Sequence, residues 1–155
     1  MVYLTIDTAN LFHRAKHGIK GDIDLKLGMC FHVIFNAVKK CWVDFDADHC
    51  VFAFEGHSWR KDYYEPYKRN RLIIRELMNN KEKDDEALFF EAFNDFKSFL
   101  VEKTNATVLQ HDMLEGDDLI AGFIRAHPND AHIIISTDSD FHQLISNNVS
   151  QYNGV

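Results

Sequence analysis

Three stretches of this chain are apolar and unbroken by charge: Val2-Tyr3-Leu4-Thr5-Ile6, Cys50-Val51-Phe52-Ala53-Phe54 and His132-Ile133-Ile134-Ile135. A strand with one face in water alternates polar and apolar residues. A continuous run belongs to a strand covered on both faces, the usual state of a parallel sheet. Parallel pairing needs long crossovers, usually helical, and the intervening segments supply them. Leu27, Phe31, Ile34, Val38 and Trp42 recur every three or four residues and predict a helix over about 25–43. Phe89, Phe93, Phe96 and Leu100 mark a second helix over about 84–103, their stripe read as core packing. Leu119, Ile120, Phe123 and Ile124 form the buried face of a third, short one. Weaker signals give strands at 107–109 and 149–152 and a short helix near 141–146. The pattern predicts an α/β fold: three layers, a mostly parallel central sheet and helices on both faces.

At 155 residues the chain is read as one domain, and an apolar content of 46% suffices for its core. The balance of 17 basic against 24 acidic side chains gives a formal charge of −7. That excludes a domain basic over its whole surface, the simplest polyelectrolyte binder. It leaves open a local basic patch. Three cysteines, Cys30, Cys41 and Cys50, are an odd number without a C-x-x-C pair. They argue against a disulfide framework or a cysteine zinc site and for a reducing cytoplasm. Asp7 interrupts the first apolar run too early for a signal peptide, and no run reaches the length of a membrane span.

The acidic residues fall where apolar runs stop. Asp7 follows the first strand, Glu55 the second, and Asp138 and Asp140 come soon after Ile135. Glu115, Asp117 and Asp118 open the short third helix. Open α/β sheets bind ligands outside the carboxyl ends of their strands, so these carboxylates are expected to converge on one edge. Gathered at neutral pH they would repel one another unless cations neutralise them or some hold protons. All-oxygen ligation points to Mg²⁺ or Mn²⁺. The carboxylates suffice for two ions about 4 Å apart, an arrangement suited to phosphodiester hydrolysis. The plainer reading is helix capping, which accounts for Asp117, Asp118 or Asp138 singly. It accounts less well for several separate segments that turn acidic at the same kind of place.

Between 60 and 75 the balance reverses, with six basic against two acidic side chains. Lys68, Arg71 and Arg75 are spaced to share one helix face, and Tyr63, Tyr64 and Tyr67 are interleaved with them. Cations contact phosphates and aromatic rings stack on bases, so the segment suits a single-stranded or frayed nucleic acid. A solvated helix face over packed tyrosines is the alternative.

Four ordered segments together resemble the 5′-to-3′ exonuclease and flap endonuclease family, which includes bacteriophage 5′ exonucleases and the 5′-nuclease domain of bacterial DNA polymerase I. The segments are Ile6-Asp7 through Arg14-Ala15; Phe54-Glu55 with Trp59-Arg60 and Tyr64 to Arg71; Glu115-Gly116-Asp117-Asp118; and Ser136 to Leu144. Departures are Thr8 for the usual Gly, Glu55 for the usual Asp, and Ser139 for a frequent Lys. The resemblance implies a PIN-like (resolvase-like) fold over 1–155, with the family's downstream helix–hairpin–helix region absent. It implies metal-dependent hydrolysis of DNA carrying a 5′ end or flap, in replication or repair. Asp7, Glu55, Glu115, Asp117, Asp118, Asp138 and Asp140 would hold the metals, Asp7 and Asp117 being central to catalysis. The second ion would be weakly held, because further family ligands lie downstream. Lys68 and Arg71 would contact the scissile phosphate at the base of a helical arch. Tyr67, Arg75, Arg60 and Arg14 would make further nucleic-acid contacts. A replication protein or separate polypeptide is expected to complete the grip on DNA. The compartment expected is cytoplasmic, that of the host if the chain is phage-encoded.

Three other readings compete with this one. A haloacid-dehalogenase phosphatase also has D-x-D after an apolar strand, but here that strand comes last and His142 stands where a small or branched residue is usual. A PIN-type ribonuclease leaves the Tyr67-Lys68-Arg69-Asn70-Arg71 segment unexplained. A module that binds branched DNA or a replication protein without cutting is separated from the enzyme by activity on a 5′-flap with Mn²⁺.

Overall fold

The computed structural model describes residues 1–153. In chain order its elements are β1 (Val2–Asp7), α1 (Thr8–Gly18), α2 (Ile23–Asp44), β2 (His49–Ala53), α3 (Trp59–Tyr63), α4 (Arg69–Glu76), α5 (Asn80–Lys103), β3 (Thr107–Leu109), α6 (Gly116–Ala126), β4 (Ala131–Ile135) and β5 (Val149–Tyr152). The strands lie in the order β3-β2-β1-β4-β5, with β1 at the centre. Every pairing among the described residues is parallel, which sharpens the sequence expectation of a mostly parallel sheet. The register sets Asp7 opposite Ala53 and Ile6 opposite Ile135, so the neighbouring strands end level with β1.

The two faces of the sheet take different partners. Leu4, Ile6 and Phe52 point to one side and pack with Leu11, Phe12, Ile34, Phe89 and Phe96 from α1, α2 and α5. Ala53 and Ile134 point to the other and meet Ile120 and Ile124 of α6. This alternation along strands that read as unbroken apolar runs is what double coverage requires. Phe96 is 2% exposed and rings from α2 and β2 surround it, among them Phe31, Phe35 and Phe52. The phenylalanine stripe of α5 is therefore core, as its spacing predicts. Trp42, placed on the α2 stripe by spacing, is instead 40% exposed; Cys41, one position earlier, is buried in its stead.

Helix ends follow their capping residues. The Asp22 carboxylate accepts from the Leu25 N–H at 3.0 Å to start α2. Asn79 and Glu82 form a reciprocal capping box that starts α5 at Asn80, four residues before the hydrophobic period declares it. The helix expected near 141–146 is a six-residue 3₁₀ turn at Ser139–Leu144. The three cysteines are free thiols, and burial pushes Cys30 and Cys50 up to about 11. Among the described residues no helix is long and apolar enough to cross a membrane.

Candidate active site

The carboxyl ends of β1, β2 and β4 open into a cleft of about 830 Å³. The order of strands reverses direction beside β1, with β2 to one side and β4 to the other, which is where an open α/β sheet leaves a crevice. Asp7, the last residue of β1, caps α1 by accepting from the Asn10 N–H at 3.2 Å. Its other oxygen accepts from the Ser136 hydroxyl at 2.8 Å. Ser136 also accepts from the Asp138 N–H at 3.1 Å, so one hydroxyl ties the end of β1 to the loop after β4. Asn10 adds a second tie through its side-chain oxygen, which accepts from the Thr137 N–H at 3.1 Å. These ties bring Asp7 and Asp138 to one wall of the cleft.

Glu55 reaches the same cleft because the chain squeezes past its neighbour at Gly56. A Cβ built on Gly56 would lie 1.9 Å from the His111 carbonyl oxygen, so no larger residue fits without moving backbone. The Gly56 N–H donates to the Leu114 carbonyl at 2.9 Å, bringing Glu55 beside the start of α6. A Cβ on Gly116 would lie an ordinary 3.5 Å from Glu55 Oε1. Three of the acidic residues come from α6 and its cap: Glu115, Asp117 and Asp118 each offer an oxygen within 4.8 Å of the others.

Two cations already serve part of this set. Glu115 is 3% exposed and accepts from Lys68 Nζ, from Tyr67 Oη at 3.0 Å and from Arg60 Nη1 at 2.9 Å. Arg60 is bidentate to Asp118, with both contacts at 2.8 Å, and lies over the Trp59 ring. Burial works to raise the Glu115 pKa, but the Lys68 and Tyr67 hydrogen bonds outweigh it and hold it below the usual carboxylate value. The Arg60 bond likewise holds Asp118 low. Burial lowers the tendency of Lys68 to carry charge, and Glu115 more than restores it.

Among the described residues, Asp7, Glu55 and Asp117 have no such ion-pair partner. Burial raises the pKa of Asp7, opposed by Ser136 and Asn10 and reinforced by the charges of Asp138 and Asp117. Burial likewise raises Glu55, with Glu115, Asp7 and Asp117 adding to the effect and Lys68 opposing it. Burial also raises Asp117, opposed by the hydrogen bond from the Asp118 N–H and by the Arg60 charge and reinforced by the charges of Asp118 and Glu115. Under-neutralised carboxylate oxygens facing one cleft are a donor set that fits a hard divalent cation, with His13 and His57 also on the cleft lining.

Of the residues singled out from sequence, Asp7, Glu55, Glu115, Asp117, Asp138, Tyr67, Lys68, Arg71 and Arg75 line the cleft. Asp118, Asp140, Arg60 and Arg14 stand outside its lining. Asp118 is turned to Arg60, and Asp140 is exposed in the 3₁₀ turn, where its N–H donates to Asp138. Arg60 points into the acidic cluster, and Arg14 donates to the Asn153 carbonyl at 3.2 Å. Lys68, Arg71 and Arg75 do not share a helix face as their spacing suggested. Helix α4 begins at Arg69, and Lys68 precedes it in the left-handed region at φ 56°. Arg75 pairs with Glu86 of α5 at 3.2 Å. Sequence reading assigned no role to Ser136, Asn10 or His13, which also lines the cleft. Their polar character beside Asp7 and Asp138 was the available signal.

Comparison with known proteins bears on the fold and the family. A flap endonuclease Xni from Psychromonas ingrahamii is 30% identical over 156 residues, covering 96% of this chain and 55% of its own length. The Xni of Pseudoalteromonas translucida is 27% identical, covering 96% of this chain and 56% of its own length. The chain thus spans about half the length of these curated relatives. The bacteriophage T5 5′-exonuclease, solved with zinc bound, superposes with a TM-score of 0.78 at 24% identity, over 98% of this chain and 55% of that one. A T5 flap endonuclease solved with DNA and metal ions gives a TM-score of 0.74 at 21% identity, over 98% and 54%. At these identities the two structures establish a shared fold. Residues 2–155 match the model of the 5′-3′ exonuclease N-terminal, resolvase-like domain, and the chain belongs to that family.

Proposed function

We propose that this chain carries the catalytic centre of a divalent-metal-dependent 5′ nuclease, acting on DNA as a 5′-to-3′ exonuclease and structure-specific flap endonuclease. The observation that carries the reading is the convergence of Asp7, Glu55, Glu115, Asp117 and Asp138 on one cleft that Lys68 and Arg71 also line. An acidic pocket alone would repel a phosphodiester. An acidic pocket faced by cations can hold both a divalent ion and the phosphate it acts upon. Family membership and the flap endonuclease relatives support the same reaction. A bound divalent ion supplies activation of water and neutralisation of charge on the phosphate oxygens.

Within this reading the side chains divide their work. Asp7, Glu55, Glu115, Asp117 and Asp138 bind the ion directly or through water, Mg²⁺ or Mn²⁺ being favoured by their all-oxygen character. Asp118 supports Glu115 through the cap of α6 and through Arg60. A second ion, drawing on Asp138 and Asp140, would be the weaker, since Asp140 stands outside the cleft lining. Lys68 and Arg71 stabilise charge on the scissile phosphate, with Tyr67 and Arg75 along the path of the strand. A net charge of −7 supports a role for a further polypeptide in gripping the duplex. Removal of primers or flaps in replication or repair is the setting this chemistry suits.

The test is cleavage of a 5′-flap oligonucleotide at fixed salt with Mg²⁺, with Mn²⁺ and with EDTA. Metal-dependent cutting near the junction supports the reading. Binding of the flap with no cutting under any metal makes the chain a DNA-binding module instead.

A further inference from the structure

Lys68 is held by little of its own local structure. It precedes α4 in the left-handed region, at φ 56° and ψ 19°, where a residue with a side chain stays only if its surroundings hold it. Its side chain makes no cap to α4, and α4 itself buries no residue. What fixes Lys68 is the site: its ammonium donates to Glu115 Oε1 and lies 5.1 Å from the Tyr67 ring centroid. Arg60 is anchored differently. Its planar fork grips both oxygens of Asp118, donates once to Glu115 and stacks on Trp59, so four contacts would have to be lost together. An ammonium is a point charge on a flexible stem and can leave singly.

Glu115 is almost fully buried, and a buried carboxylate stays ionised only with a compensating charge beside it. Lys68 provides that charge at Oε1, in a cleft that Glu55 and Asp117 also line. An ammonium and a divalent ion cannot occupy the same position on one oxygen.

We propose that Lys68 is a displaceable stand-in cation on Glu115, so that loading of a divalent ion and release of the Lys68 ammonium into the cleft are one coupled equilibrium. The inference rests on the reading that Glu115 takes part in holding the ion. Coupling of this kind is reciprocal. A phosphate that draws Lys68 away tightens ion binding, and the ion in turn frees Lys68 to meet the phosphate. The pair thereby makes metal and substrate cooperative, while the empty pocket keeps its buried charge compensated.

The experiment is Mn²⁺ binding without DNA, followed by electron paramagnetic resonance of the free ion at fixed pH and ionic strength. Lys68→Gln is expected to bind Mn²⁺ more tightly than the wild type by about fivefold or more. Lys68→Arg is expected to show no gain, and Glu115→Gln to bind more weakly. Arg71→Gln removes the same charge from the same cleft without touching Glu115, and should tighten binding less than Lys68→Gln. In the wild-type chain with ¹³Cε-labelled lysine, Mg²⁺ saturation should move the Lys68 resonance toward those of exposed lysines. Unchanged or weaker Mn²⁺ binding in Lys68→Gln, a gain no larger than that of Arg71→Gln, or an unmoved Lys68 resonance would overturn the proposal. A wild-type chain that binds no Mn²⁺ would overturn the metal reading itself and the proposal with it.

Discussion

The hydroxyl of Ser136 donates to the Asp7 carboxylate at 2.8 Å while accepting from the backbone of Asp138, joining strands that are far apart in sequence. The Asp7 oxygen it meets is buried, and the bond opposes the rise that burial imposes on the Asp7 pKa. Ser136→Ala should raise that pKa further, weaken divalent-ion binding by about tenfold and cost about 1–2 kcal/mol of stability. Calorimetric metal titration and denaturant unfolding check the two effects separately.

Asp117→Asn should separate activity from stability. The raised pKa of Asp117 means its ionised form is unfavourable in the metal-free fold. Amidation should leave the melting temperature in EDTA unchanged or higher while cleavage falls by about two orders of magnitude or more. A variant that melts much earlier than the wild type would mark Asp117 as structural.

Stability of the metal-free chain should pass through a maximum with pH. Glu115 and Asp118 have lowered pKa values, so the stability they contribute is present above about pH 4 and lost as pH falls through their folded values. Asp7, Glu55 and Asp117 have raised values, so the folded state binds protons that the unfolded state has released. Their contribution falls as pH rises above about 4 through those raised values. Melting curves in EDTA from acid to neutral pH should show both limbs, and saturating Mg²⁺ should flatten the upper one.

Lys68→Ala should lower kcat more than it raises KM, because charge built up at a phosphate in the transition state is where an ammonium acts most strongly. Steady-state kinetics on a 5′-flap at two salt concentrations checks this. A change confined to the salt dependence of KM would make Lys68 a plain electrostatic anchor.

Gly56→Ala should disrupt the site through its backbone. The new methyl would meet the His111 carbonyl, forcing apart the two loops that bring Glu55 beside Gly116. A loss of roughly 3 kcal/mol is expected, together with weakened metal binding, read from urea unfolding and metal titration.

The sheet and the acidic edge were legible because each rests on local pattern. Unbroken apolar runs specify buried strands, and the strands at Thr107–Leu109 and Val149–Tyr152 fall where their residues suggest. Asp7, Glu55, Glu115, Asp117 and Asp138 were legible because each follows, caps or opens an element whose end is written in the sequence. The Arg60–Asp118 fork was not, since it pairs residues 58 positions apart and depends on how α3 lies against α6. Arg60 by sequence was one more basic residue in a basic segment. Lys68 was misplaced onto a helix because spacing carries no information about a single left-handed residue. Helix α4 lacks a buried face altogether, so hydrophobic periodicity had nothing to mark.

The central position of β1 has a consequence for biosynthesis. Its neighbour β4 begins at Ala131, and the hydroxyl that orients Asp7 belongs to Ser136. A nascent chain carries Asp7 and Glu55 out of the ribosome well before it holds the second neighbour of β1 or the Ser136 hydroxyl. Pairing of such sequence-distant strands is also a slow step in folding. Asp7 therefore gains its β4 neighbour and its orienting hydroxyl only from residues made long after its own strand.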